Sequence, residues 1–159
     1  MIGEMSRIVR TMTNIIFGFI VVFGFYVIAH GHLSPGGGFQ GGAIVASAFA
    51  LLLVTYGTEV IQQYIAKDLL SVIESTGLIL FGSFGFLGIS ATYFYNIVAN
   101  SGGLFGSPTV IGVNPGDLNT SGTIALMNIA VGLEVLAALG VIVLTMSAAA
   151  EIIQNKEKS

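Results

Sequence analysis

The chain has 159 residues, and only five Lys or Arg and eight Asp or Glu among them. At 8% charged and 54% hydrophobic, against about 25% charged in a soluble domain, it cannot cover a water-facing surface. The composition excludes an ordinary cytoplasmic enzyme, a nucleic-acid binder and a disordered chain, and implies an integral membrane protein. The absence of cysteine excludes disulfides, Fe–S ligation and Cys-based zinc sites.

Four apolar runs follow along the chain. The first, 11–29, comes after Arg7 and Arg10 and reaches about 28 Å as a helix, close to the hydrocarbon thickness of a bilayer. A glycine-rich turn, 30–42, leads into the second run, 41–61, where Gly42, Ala46 and Ala50 recur at i, i+4, i+8 and predict a face that a neighbouring backbone approaches closely. Val60, Ile61, Tyr64 and Ile65 extend an apolar helical face beside Gln62, Gln63 and Lys67, as an interfacial segment would. The third run, 69–99, is long for one perpendicular span and predicts a tilted or protruding helix. It carries Gly82, Gly85 and Gly88, and ends near Tyr93 and Tyr95, which suit an aromatic belt. An external loop, 100–123, holds Pro108, Pro115, Asp117 and the sequon Asn119-Thr120-Ser121. The fourth run is 124–150, with a polar tail after it.

The basic residues set the topology. Arg7 and Arg10 precede the first run, Lys67 lies between the second and third, and Lys156 and Lys158 follow the fourth. The turn 30–42 and the loop 100–123 carry none. The expectation is therefore an all-α membrane protein, a single membrane domain of about four transmembrane helices with both termini cytoplasmic, in the cell membrane.

Candidate chemistry is sparse. His30-Gly31-His32 is at most half a metal site, since there is no third imidazole or thiol in the chain; no metal and no catalytic site is predicted. Gly36, Gly38 and Gly41 form a literal G-x-G-x-x-G, but a dinucleotide fold needs a strand before it and an amphipathic helix after it, and here membrane-length runs stand on both sides. The physical content is a compact turn of five glycines and a proline in eight residues, irregular backbone that survives at membrane depth only against protein or a wet cavity. Glu134 stands about ten residues inside the fourth run, where a carboxylate costs of order 2.5–3.5 kcal/mol. Ala130, Ala137 and Ala138 around it predict contact with another helix. It reads as a proton or cation relay or, equally, as half of a structural pair with an external base. Asn128 is a second buried polar candidate. Glu74 lies about one turn inside the third run, where snorkelling to water competes with a pathway role.

The string His32-Leu33-Ser34-Pro35-Gly36-Gly37-Gly38-Phe39-Gln40-Gly41-Gly42 resembles the signature of the MnhB/MrpB family, which belongs to Mrp-type multisubunit Na+/H+ antiporters. It maps at His32, Pro35, Gly36, Gly37, Gly38, Phe39, Gly41 and Gly42; His30 lies outside it. The segment 128–135 is similar to archaeal respiratory members of that family, including the homologous subunit of membrane-bound hydrogenase; bacterial antiporter members are expected to carry an acid near the Asn128 position and none at Glu134. The resemblance implies a small subunit without a cofactor of its own that helps exchange Na+ for H+, with His32, Glu134, Glu74 and Asn128 as candidates for an ion path. It implies other membrane subunits of a hetero-oligomeric antiporter or respiratory complex as partners. The alternative is a scaffold whose glycine faces pack larger subunits; a stand-alone transporter is disfavoured, since the chain shows no internal repeat.

Overall fold

The structure is a computed structural model that describes residues 5–109 and 117–157. Glu4, Pro115 and Lys158 lie outside those residues. The helices are α1 (Arg7–Ala29), α2 (Gly38–Tyr56), α3 (Thr58–Tyr64), α4 (Lys67–Phe86) and α5 (Thr123–Glu157). Among the described residues, α1, α2, α4 and the Thr123–Ile153 part of α5 are long and apolar enough to cross a bilayer.

The bundle is built on α2 and α5, which pack along each other; α1 lies chiefly against α2, and α4 against α5. Half of the apolar stretch of α2 is buried, against 17% for α1 and α4, so the outer two helices leave most of their surface uncovered. The small residues of α2 explain its central place. A Cβ on Gly42 would stand 2.8 Å from the Gly132 carbonyl, and one on Gly41 would stand 2.7 Å from the Gly24 carbonyl. One glycine thus admits α5 and its neighbour admits α1. Ala46, on the same face as Gly42, is buried as well.

Local chemistry sets the helix ends. The Ser6 hydroxyl accepts from the Val9 amide at 3.4 Å and caps α1. α2 begins at Gly38, earlier than the expected 41, because the Gln40 side chain reaches back 2.6 Å to accept from the Gly37 amide. Gly57, at φ 87°, separates α2 from α3. The interfacial extension is therefore a helix of its own, and buries Ile61 beside Leu53, Leu70 and Leu144. α5 runs on to Glu157, beyond the expected 150, with Lys156 in its last turn facing the negative end of the helix dipole.

The third run differs most from expectation. The helix stops at Phe86, and the rest of 69–99 folds as turns. The Phe94 amide donates to the Gly85 carbonyl at 2.9 Å, with Phe94 itself at φ 65°. Tyr93 packs edge-on against Phe86, centroids 4.9 Å apart, and against the bare backbone of Gly85. At Gly88 it is the backbone carbonyl and Cβ of Tyr95 that close on the glycine. Gly85 and Gly88 thus receive the folded-back chain rather than a neighbouring helix, and Gly82 has open space beside it.

The glycine that joins α4 to α5 is Gly77. A Cβ there would lie 2.8 Å from the Glu134 amide nitrogen and 2.9 Å from the Ala130 carbonyl oxygen. Both neighbours are helix backbone and cannot give way cheaply. Gly77→Ala is expected to cost about 1–3 kcal/mol by overpacking. Gly82→Ala on the same helix is expected to be neutral or to stabilise by up to about 1 kcal/mol from propensity. Thermal midpoints of the two variants in detergent check the contrast.

Candidate functional site

Two groups of residues hold the candidates: the glycine-rich turn with Asn128, and the α4–α5 seam with Glu134 and Glu74.

Asn128, in the second turn of α5, reaches into the junction of α1 and α2. Its Nδ2 donates to the carbonyl of Ile28, in the last turn of α1, and its Oδ1 accepts from the amide of Gly38, the first residue of α2. The Gly38 amide is a helix-start orphan without an i−4 acceptor, and the Ile28 carbonyl lacks an i+4 donor but also accepts from the Gly31 amide at 3.2 Å. The amide side chain matches them with one donor and one acceptor. The turn wraps around this side chain. A Cβ on Gly37 would lie 2.7 Å from Asn128 Oδ1; one on Gly31 would fall inside the Asn128 amide, and one on Gly38 on the Asn128 carbonyl oxygen. The glycines at these positions are space for Asn128 and the α5 backbone. Gly31, outside the signature string, belongs to the same packing.

The rest of the signature faces elsewhere. Pro35 and Phe39 are exposed, Phe39 by 63%. His30 lies on the ring of Tyr26, centroids 4.0 Å apart, with Nδ1 3.2 Å from the Tyr26 carbonyl. His32 turns the other way, toward the backbone of Asp117 and Leu118. Its two ring nitrogens are shielded from solvent and make no hydrogen bond of normal geometry. Burial holds its pKa below 6.5; the nearby backbone of Leu118 opposes that shift, and the positive charge of His30 adds to it. The two imidazoles thus have different neighbours, and among the described residues no group of three His, Asp or Glu stands together as metal ligands.

The chain before α5 is tied into a network. Asn96 accepts from the Thr123 amide at 2.9 Å and donates to the Ser121 carbonyl at 2.8 Å, so it caps α5 from a distance. Asn119 donates to Ser107 Oγ at 2.8 Å and accepts from the Phe105 amide. The amide of the sequon is therefore committed to holding the loop, and Thr120 beside it is buried.

At the seam, Gly77 brings the Glu134 backbone and Cβ against α4, as the small residues around Glu134 predict. Glu74 sits one turn earlier on α4. The two carboxylate-bearing residues thus lie at neighbouring levels of one helix contact, and both are half-buried. Glu134 is six residues, about 9 Å, along α5 from Asn128. Sequence alone groups Asn128 and Glu134 in one set; the structure gives Asn128 two backbone partners and leaves Glu134 at the seam. Gly77 is not singled out by sequence, since it stands outside the Gly82, Gly85 and Gly88 series of its run.

Asn128→Leu strands the buried Gly38 amide, while the Ile28 carbonyl keeps its bond from the Gly31 amide, and is expected to cost about 1–3 kcal/mol; Asn128→Asp retains the acceptor and is expected to fall between it and wild type in thermal midpoint. For His32, the unfolded chain takes up a proton before the folded one. Stability from the neutral ring is therefore full above pH 6.5 and drains as the pH falls below it. Amide exchange across 31–38, corrected for intrinsic rate, is expected to rise between pH 7.5 and pH 5, and His32→Gln is expected to remove that rise.

The whole of this geometry falls within a known sequence pattern. The model of the family described as a domain related to the MnhB subunit of Na+/H+ antiporter matches residues 8–142. An uncharacterized protein of Methanocaldococcus jannaschii is 33% identical over 159 residues, which is 99% of this chain and 58% of that protein. A protein of Staphylococcus aureus strain Newman, named as antiporter subunit mnhB2, is 38% identical over 65 residues, 41% of this chain and 46% of that protein. Its counterpart in strain NCTC 8325 matches to the same extent. The chain thus spans about half the length of the curated relatives it matches. From α1 through the Asn128 junction and the Glu134 seam, the chain belongs to the family of domains related to the MnhB subunit of Na+/H+ antiporters.

Proposed function

We propose that this chain is a membrane subunit of an Mrp-type Na+/H+ antiporter module, and that the α4–α5 seam carrying Glu74 and Glu134 lines part of its cation and proton route. The observation that carries the second step is the apposition at Gly77, which sets Glu134 against α4 one turn from Glu74. A carboxylate at membrane depth is costly unless it is neutralised, paired or wet. Two at adjacent levels of one seam give a proton or a cation successive stations. Asn128 and His32 serve this route indirectly, by holding the glycine-rich turn at its end. Na+ and H+ are the ions the family description names.

The bilayer placement rests on the helix ends. Arg7, Arg10, Lys67 and Lys156 stand at the start of α1, the start of α4 and the end of α5, which puts them on one side of the bundle. By the bias of basic residues toward the cytoplasm, both termini are cytoplasmic and the glycine-rich turn faces outward. The uncovered faces of α1 and α4, with Phe19, Val22, Val72, Leu78 and Ile79 exposed, are where lipid and the other membrane subunits pack. The parent assembly is either a free-standing antiporter or the antiporter-like membrane part of a hydrogenase-type respiratory complex.

A scaffold role is the second reading, favoured by Asn128, whose polar groups are both engaged within the fold. Substitution within the intact assembly separates the two. Glu134→Gln and Glu74→Gln are expected to lower Na+-dependent proton movement in everted vesicles at least about tenfold while the subunits still co-purify. Unchanged exchange in both variants would sink the route; loss of co-purification would transfer the case to the scaffold.

A further inference from the structure

The glycine-rich turn is clasped at two points. One is Asn128, which holds Gly38 and the end of α1. The other is His32, whose ring lies toward the backbone of Asp117 and Leu118. The two sides of this second clasp are held differently. The segment entering α5 is tied back to the loop before it: the Ser107 amide donates to the Asn119 carbonyl at 2.9 Å, and the Gly122 amide to the Phe105 carbonyl at 2.6 Å. The turn bonds to itself and to the last turn of α1. The Leu33 amide and the Ser34 hydroxyl both donate to the His30 carbonyl, at 2.9 and 3.2 Å, and the Gly31 amide donates to Ile28.

The sequence fixes the charges around His32. From 96 through 133 Asp117 is the one titratable residue, and from 27 through 55 there are only His30 and His32. The charged groups that face the ring are therefore His30 from the turn and Asp117 from the segment entering α5. The outer halves of α2 and α5 supply none, and Tyr26, Tyr93 and Tyr95 are neutral in the acid range. Asp117 is exposed, and its Oδ1 accepts from the Asn119 amide at 2.8 Å.

We propose that His32 is an acid-operated latch: with the ring neutral the turn lies closed on 117–118, and when the ring takes a proton the turn swings off that segment while staying attached at Asn128. Neither ring nitrogen makes a hydrogen bond of normal geometry, and both are shielded from solvent. Packing alone therefore does not call for an imidazole here. A charged ring in the same place would bring two shielded N–H groups and a like charge at His30, against one acid already engaged with Asn119. Exposure relieves that cost. The turn is the part that moves, because its own bonds are local and the opposing segment is anchored. An imidazole places the transition in mildly acidic solution. On the bilayer placement proposed above, the latch reads the acidity of the outer side; its operation requires neither that placement nor antiport.

The test uses the full chain in its native assembly in lipid nanodiscs. The chain has no cysteine, so the wild-type assembly supplies the labelling background. Spin labels at Pro35→Cys on the turn and Leu104→Cys on the anchored loop, both exposed, report their separation by pulsed dipolar spectroscopy. One distance is expected at pH 7.5 and a second, longer one at pH 5. The open-to-closed ratio is expected to rise at least about threefold and at most about thirtyfold, the limit for a ring of pKa 6.5 that the closed form does not protonate. His30→Gln removes the like charge and is expected to move the midpoint up in pH; Asp117→Asn is expected to move it down. His32→Leu is expected to stay closed at both pH values. A second pair, Phe39→Cys with Met146→Cys, spans α2 to α5 and is expected to keep one distance. A single distance for the first pair at both pH values overturns the latch. So does opening of His32→Leu at pH 5, a midpoint that neither neighbour moves, or equal lengthening of the second pair. None of these readouts uses ion exchange, so failure of the latch and failure of the proposed route are separate results.

Discussion

The fold depends on one amide side chain. Asn128 satisfies a carbonyl at the end of α1 and an amide at the start of α2, across 100 and 90 residues of sequence. The Gly38 amide is one that a helix start leaves unpaired, and the Ile28 carbonyl has the Gly31 amide besides; both fall where the chain reverses between two apolar helices. A buried unpaired peptide group is expensive. One donor and one acceptor from a third helix satisfy both ends and tie three helices at a single point. The glycines of the turn follow from this. They line the volume that the Asn128 side chain and its backbone occupy, and a methyl group at Gly37 would enter it.

A second set of polar contacts stands near the opposite end of the same helices. Thr13 bonds Thr55 at 3.0 Å, Asn14 accepts from the Tyr56 hydroxyl at 2.6 Å, and Thr58 bonds Ser147. Asn128 and Ser147 are 19 residues apart on α5, and α2 is 19 residues long, so these layers lie about 28 Å apart, near the thickness of the hydrocarbon core. Between them the contacts are apolar or glycine-to-backbone. The polar pairs therefore set register at the two ends of the bundle, and close packing of small residues joins the helices between them.

This division of labour isolates the acids. Glu59, Asp68 and Asp117 are exposed on short segments or helix ends. Glu134 is held within the span by Gly77, whose missing side chain lets the α4 backbone meet α5 at that level. The cost of keeping a carboxylate there is not offset by a base among the neighbours that the sequence places in the span, since 11–58 and 75–116 carry no charge at all.

The sequence by itself determined the class of the protein, the four apolar runs, the single basic end and the position of the turn. Each is a property of composition or of local order, and the glycine string and Glu134 were legible for the same reason. The ends of the third run and the roles of particular glycines were decided only in three dimensions. In a helix that is apolar all round, the hydrophobic pattern no longer marks which face packs. Sequence therefore singles out Gly82 and Gly85 and passes over Gly77, although Gly77 meets a helix, Gly82 meets nothing and Gly85 receives Tyr93. Asn128 likewise read as a lone buried polar group beside Glu134. Its partners lie at the ends of two other helices, and only their convergence shows that it completes their backbones.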